Sequence, residues 1–160
     1  MSLIDEYFDY QDRFEEKYGE NTIVLMEVGS FFEVYGTDDI GSNKGRIREI
    51  CEVTALTMSK KKGQSKYSKK DYVFMAGFPN HSVEKWKDIL IKNNYVVIII
   101  EQDSHGKKDP KRTITEIVSP GINIDSNNFS NNVMSVYIEC IKDFKSQKPM
   151  VELGLSIADM

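Results

Sequence analysis

The sequence predicts an α/β domain of the α+β-like kind, a mixed β-sheet flanked by helices and ending near residue 122. Three observations predict it. YVVIIIEQ, from Tyr95, is a continuously apolar run of the kind found in strands buried on both faces. TIVLMEV, Thr22–Val28, is a second β-branched, apolar run. Stretches with helical periodicity lie before and between these runs, and such alternation belongs to layered domains.

The elements follow in order. Residues 2–18 predict an amphipathic helix, with Ile4, Tyr7, Phe8, Phe14 and Tyr18 near one face and Gly19 as its stop. After the strand at Thr22–Val28, Gly29-Ser30 can turn the chain, and FFEVY reads as a second short strand. Thr37 or Asp38 is a candidate cap for a helix running through IREICEV, weakened around Gly41–Gly45. The lysine-rich stretch SKKKGQSKYSKKD reads as a hairpin-like loop between VTALTM and YVFMAGFP. Asn80 and Ser82 are candidate caps for a helix with Val83, Trp86 and Leu90 on one side, ending near Asn93-Asn94. RTITEIVSPGI supplies another strand, stopped at Pro120-Gly121. Residues 123–132, polar and turn-rich, read as a linker. VMSVYIECI and MVELGLSIADM then look like two strands opening a further unit within residues 133–160, which makes the chain an N-terminal piece of a longer protein.

The 160 residues carry a net charge of −4, with 40% apolar and 29% charged residues, an ordinary globular composition. No apolar run is long enough for a membrane helix, and the acidic start MSLIDEYFDY lacks the features of a secretory signal. Cys51 and Cys140 suggest neither a disulfide framework nor a metal pair, so an intracellular protein is the simplest reading. Charge is uneven: residues 1–20 hold seven acids and two bases, while Ser59–Asp71 holds six lysines and one aspartate. KKDPKR at Lys107–Arg112 is a second basic patch. Such a segment is either a solvated loop or an electrostatic footprint for phosphates.

Several chemistries lack their motifs. There is no phosphate loop of the G-x-x-x-x-G-K-[ST] type and no G-x-S-x-G elbow. His81 and His105 stand apart from any zinc spacing, and His81 reads as a capping or packing residue. Glu27, Glu33, Asp38 and Asp39 could form a metal site only on paper, and their spacing does not single them out.

VGSFFEVYG is harder to explain. Strand alternation puts Phe32 and Val34 on one face and Phe31, Glu33 and Tyr35 on the other. Phe31 then shares its face with a carboxylate, which a sealed apolar core does not tolerate unpaired. Either Phe31 packs at an edge beneath the first helix, or it is an exposed wedge with an acceptor two residues on, suited to insertion between base steps.

This stretch resembles the Gly-Asp-Phe-Tyr-Glu-Leu-Phe segment of MutS-family mismatch repair proteins. In the same order, VTALTMSKKKG is similar to the family's Asp-Ile-Ser-Leu-Thr-Lys-Arg-Gly. VFMAGFPNHSVEKWKDILIKNNYVVIIIEQ is similar to its Pro-Met-Ala-Gly-Ile-Pro-Tyr-His-Ala-Val-Glu helix and the strand ending Cys-Glu-Gln. KRTITEIVSPGI is similar to its Arg-x-Val-x-Arg-Ile-Val-Thr-Pro-Gly-Thr. The resemblance implies that residues 1–122 form a mismatch-recognition domain and that residues from about 133 begin a ribonuclease-H-like connector.

It further implies that Phe31 is the stacking wedge and that Glu33 hydrogen-bonds the displaced base. Lys60, Lys61, Lys62, Lys66, Lys69 and Lys70 would grip phosphates, the earliest matching the family's Lys-Arg, and Met75 would support the wedge. The implied partner is duplex DNA with mismatches or small loops, with no membrane and no cofactor for this piece. ATP and Mg, and a homodimer or paralogue heterodimer, belong to the implied full-length protein. Ser30 stands where the family usually has aspartate, and Glu27 where many relatives carry arginine. Two rivals stay open: a module docking protein through the same aromatic face, and a metal-dependent nuclease.

Overall fold

The computed structural model describes residues 2–37, 44–103, 110–121, 132–142 and 149–159. Asp38, Asp39, Gly41, His105, Lys107, Lys108 and residues 123–131 of the expected linker lie outside the described residues. The chain forms two units, Met1–Pro120 and Gly121–Met160.

In the first unit, six strands form one mixed sheet in the order β3-β4-β2-β1-β5-β6. β1 (Thr22–Val28) and β2 (Phe31–Gly36) form an antiparallel hairpin. β3 (Ser59–Lys62) and β4 (Tyr72–Pro79) extend it on one side, with β4 antiparallel to both β2 and β3. β5 (Val96–Gln102) runs parallel to β1, and β6 (Arg112–Val118) closes the other side antiparallel to β5. β1 and β5 are the central apolar strands, as their composition predicts.

Alternation sends the sheet's side chains into two separate cores. α1 (Leu3–Tyr18) covers one face, where Ile4, Tyr7, Phe8 and Phe14 meet Val24, Met26, Tyr35, Val73, Ile98 and Ile100. α2 (Ile47–Thr54) and α3 (Val83–Lys92) cover the other, where Ile47, Ile50, Leu90 and Ile91 meet Ile23, Leu25, Phe32, Val34, Phe78, Val97 and Ile99. Ser2 caps α1 by accepting from the Asp5 N–H at 3.1 Å, and Gly19 ends it.

Gln11 of α1 completes the sheet rather than merely covering it. β2 pairs with β1 only over Met26–Val28, so the start of β1 has no strand neighbour on that side. The buried Gln11 amide fills the gap: its Nε2 donates to the Thr22 carbonyl at 2.7 Å, and its Oε1 accepts from the Val24 N–H at 3.0 Å. One side chain thus supplies a donor and an acceptor that a strand backbone would otherwise provide.

Three local expectations are corrected. The lysine-rich stretch is not all loop, because its first four residues form edge strand β3. Thr37 does not cap α2: its N–H donates to the Lys44 carbonyl at 3.0 Å and its Oγ1 accepts from the Lys44 N–H at 3.1 Å, so it is tied to the 3-10 turn Lys44–Arg46 ahead of the helix. Asn80 and Ser82 make no side-chain cap; Asn80–Ser82 is a 3-10 turn leading into α3, and His81 is exposed. Asn80 is spent elsewhere, its amide donating to Glu27 Oε1 at 3.4 Å.

In the second unit, β7 (Asn132–Lys142) and β8 (Pro149–Asp159) form an antiparallel hairpin. Its apolar side chains are exposed, among them Val136, Ile138, Leu153 and Leu155. Two paired strands by themselves do not define a ribonuclease-H-like fold. Among the described residues, no helix is long and apolar enough to cross a membrane.

Candidate nucleic-acid interface

The β1–β2 turn has two residues, because Val28 and Phe31 face each other across it. Gly29 takes φ +65°, a conformation that costs an L side chain strain and glycine almost none. The Ser30 carbonyl accepts from the Asn80 N–H at 3.0 Å, which ties the turn to the end of β4. Phe31 is the first residue of β2, opposite Pro79, and is 49% exposed. Its neighbour Phe32 is 2% exposed and stacks on Phe78 at 6.0 Å between ring centroids. One ring is anchored in the core while the adjacent one stands at the solvent boundary on a braced turn.

Glu33 lies two residues farther along the Phe31 face. Its side chain is 14% exposed and does not sit there unpaired. Lys61 Nζ donates to Glu33 Oε2 at 2.6 Å and contacts the Tyr35 hydroxyl at 2.7 Å, and the Tyr35 hydroxyl itself donates to Glu33 Oε2. Burial, together with the Glu33 carboxylate, pushes the Tyr35 hydroxyl far above the ordinary tyrosine range, so it remains a donor. Gly77, opposite Glu33 on β4, leaves room for this arrangement: a Cβ there would lie 2.8 Å from the Phe32 carbonyl oxygen and 3.4 Å from Glu33 Cγ. Met75 pairs with Tyr35 across the β2–β4 ladder and packs against the core beneath α1.

The lysines separate into four settings. Lys61 is turned toward Glu33. Lys66 reaches Asp9 of α1 at 2.7 Å, while its N–H donates to Asp5 Oδ1 at 3.0 Å. Hydrogen bonding to Asp9 raises the Lys66 ammonium above its ordinary range; the Lys66 and Tyr67 donors hold Asp9 below the usual carboxylate range, as the Ser65 hydroxyl does for Asp5. Lys60 lies over the Tyr72 ring at 4.4 Å and Lys70 over the same ring at 5.6 Å. Lys62 and Lys69 are exposed. Lys66, Lys69 and Lys70 also line a concavity of about 580 Å³ together with Asp5, Ser65 and Asp71.

A polar network lies near the same end of the sheet. Glu27 is buried, and its Oε2 accepts from the Gln102 N–H at 2.9 Å. Arg112 donates to Glu6 of α1 at 3.0 Å and to the Glu27 carbonyl at 3.4 Å. A bulge in the β5–β6 ladder between Ile99 and Ile100 shifts the β6 register and brings Arg112 to the α1 side. Alternation sends Glu27 and Glu33 to opposite faces, and no three His, Cys, Asp or Glu side chains converge as a metal-binding group among the described residues.

Sequence reasoning placed Phe31, Glu33 and Tyr35 on one face but did not bring Lys61 to them. The available signal was alternation on β3 and β2; it could be used only once 59–62 was known to be a strand.

The family model for MutS domain I matches residues 10–127. The chain is 33% identical over 129 residues to the DNA mismatch repair protein MutS of Parabacteroides distasonis, covering 78% of this chain and 13% of that protein. It is 32% identical over 129 residues to the DNA mismatch repair protein MutS of Streptococcus gordonii, with 79% and 13% covered. A DNA mismatch repair protein mutS homolog of Acanthamoeba polyphaga mimivirus is 26% identical over 157 residues, with 96% and 14% covered. The chain thus spans about one-seventh of the length of these curated relatives.

Proposed function

The chain belongs to the MutS family, and from that premise we propose that its first unit recognises mismatched or unpaired-base duplex DNA in mismatch repair. Phe31 enters from the minor groove, unstacks a base step and kinks the duplex, at a cost of a few kcal/mol. That cost is lower where pairing is already weak, so the domain reads deformability rather than sequence. Stacking on the ring returns about 1–3 kcal/mol whatever the base, so discrimination comes from the cost of distortion. Glu33 is the second filter, because a carboxylate near phosphates is tolerated best where a freed base offers it a donor. Lysines of the 60–70 stretch hold the backbone without reading bases. In a longer parent, this unit would act beside an ATP- and Mg-using part and a second subunit.

One observation carries the reading: the exposure of Phe31 on a braced hairpin, directly beside the sealed Phe32. The test is the affinity of Phe31→Ala for matched and mismatched duplexes of one length. Loss of the mismatch preference with the fold retained is expected; an unchanged preference refutes the wedge. Salt-insensitive binding to a protein, with no duplex binding, would favour the docking alternative.

A further inference from the structure

Glu33 has two oxygens in different situations. Oε2 accepts from both Lys61 and Tyr35, whereas Oε1 accepts no hydrogen bond among the described residues. The two donors come from different strands: Tyr35 from β2, and Lys61 from β3, which reaches Glu33 only across β4. The Lys61 ammonium also lies 4.9 Å from the Tyr35 ring centroid, and that ring packs edge-on against Tyr7 at 5.0 Å. The clasp is therefore fixed on the sheet side and backed by α1.

We propose that Lys61 is a positioning residue for mismatch recognition: together with Tyr35 it anchors Glu33 by one oxygen and presents the other, Oε1, to the displaced base. The proposal rests on the reading of Glu33 given above and changes the role of one lysine within it. Lys61 then does more than contact phosphate. It places a countercharge beside a mostly buried carboxylate and fixes the side chain's direction before DNA arrives. A carboxylate already oriented loses less freedom on binding, so its hydrogen bond contributes more to discrimination. Tyr35 holds the same oxygen but carries no charge, so its removal has a smaller effect.

Lys61 and Glu33 can be separated by a double-mutant cycle on the ratio of matched to mismatched duplex Kd, using the whole chain. Lys61→Met is expected to lower that ratio about tenfold, the scale of one charged hydrogen bond, and Lys61→Arg to retain most of it. In a Glu33→Gln background, Lys61→Met should leave the ratio where Glu33→Gln alone puts it. Tyr35→Phe should lower the ratio by a smaller factor. If Lys61→Met weakens both duplexes equally and leaves the ratio intact, Lys61 is a phosphate contact and the clasp is refuted. The clasp is equally refuted if the effect of Lys61→Met on the ratio is undiminished in the Glu33→Gln background, or if Lys61→Arg fails as badly as Lys61→Met. If Glu33→Gln alone leaves the ratio unchanged, the role of Glu33 in the proposed function falls, and the clasp with it.

Discussion

The two faces of the six-stranded sheet are built from the same strands and do different work. Beneath α2 and α3 the core cluster is apolar, and the polar groups beside it are few: Lys87 joins Glu84 at 2.8 Å and Glu116 at 3.0 Å, and the buried Glu27 near the end of β1 accepts from the Gln102 N–H at 2.9 Å. Beneath α1 the polar groups enter the interior itself: Gln11 splices β1, the Tyr7 hydroxyl donates to the Val24 carbonyl at 3.2 Å, and Glu33 sits in its clasp. The first face rests mainly on shape and apolar area. The second must satisfy every polar atom it buries, and it alone leaves Phe31 at its end. Recognition chemistry lies where packing already includes hydrogen bonds, since a carboxylate is held in a buried setting only where donors offset its desolvation.

Phe31 and Phe32 give the sharpest test of that contrast. Phe32→Ala removes a sealed ring from the apolar face and should cost about 3–5 kcal/mol in denaturant unfolding. Phe31→Ala should stay within roughly 0.5–1 kcal/mol of the parent in the same measurement while losing mismatch preference. Equal stability losses would dissolve the distinction between the faces.

Next in size is Gln11→Ala. It leaves the Thr22 carbonyl and Val24 N–H without their partner in a buried setting, at about 1–3 kcal/mol, and should speed amide exchange at Val24. Ile23→Val, on the opposite face of the same strand, should cost about 0.5–1.5 kcal/mol and leave the Val24 amide protected. A stability loss in Ile23→Val exceeding that of Gln11→Ala would show that the splice contributes little.

Binding effects follow. Glu33→Ala should raise affinity for matched duplex and blur discrimination; a uniform loss across duplexes would contradict its role. Replacing Lys60, Lys62 or Lys69 by methionine should weaken all duplexes alike, each reducing the slope of log Kd against log salt by about 1. A mismatch-selective loss at any of the three would move it from backbone grip to readout.

The smallest effect concerns the contacts between α1 and residues 65–67. Asp5 and Asp9 are held below their ordinary range, first by the Ser65 hydroxyl and by Lys66 respectively. Their contribution is complete above the unfolded aspartate value of about 3.9 and is lost as pH falls through the lower folded values. The Lys66 amide resonance should therefore stay constant near neutrality and shift only in that acidic window. A shift centred near neutrality would place the control elsewhere.

Much of the layer order was legible because it rests on local patterns. β1 occupies the stretch its β-branched run predicted, and α1 runs from its Ser2 cap to Gly19. β3 was illegible: SKKK has no apolar alternation, and it is a strand only because β4 offers it a ladder. Lysines suit such an edge, where charge discourages pairing with another chain. The helix starts failed differently. Thr37 and Asn80 are good cap residues by type, but their polar atoms were taken by Lys44 and Glu27, partners that sequence proximity does not reveal.

The sequence by itself determined that Phe31 and Phe32 point to opposite sides and that Glu33 accompanies Phe31, because the period of two is a property of the extended backbone. Tertiary structure decided which of those sides reaches solvent, and it joined Glu33 to Lys61, 28 positions away. Exposure and ion pairing depend on which layers cover a face and which strand becomes its edge. Those outcomes are set by the packing of the whole domain, and no local pattern encodes them.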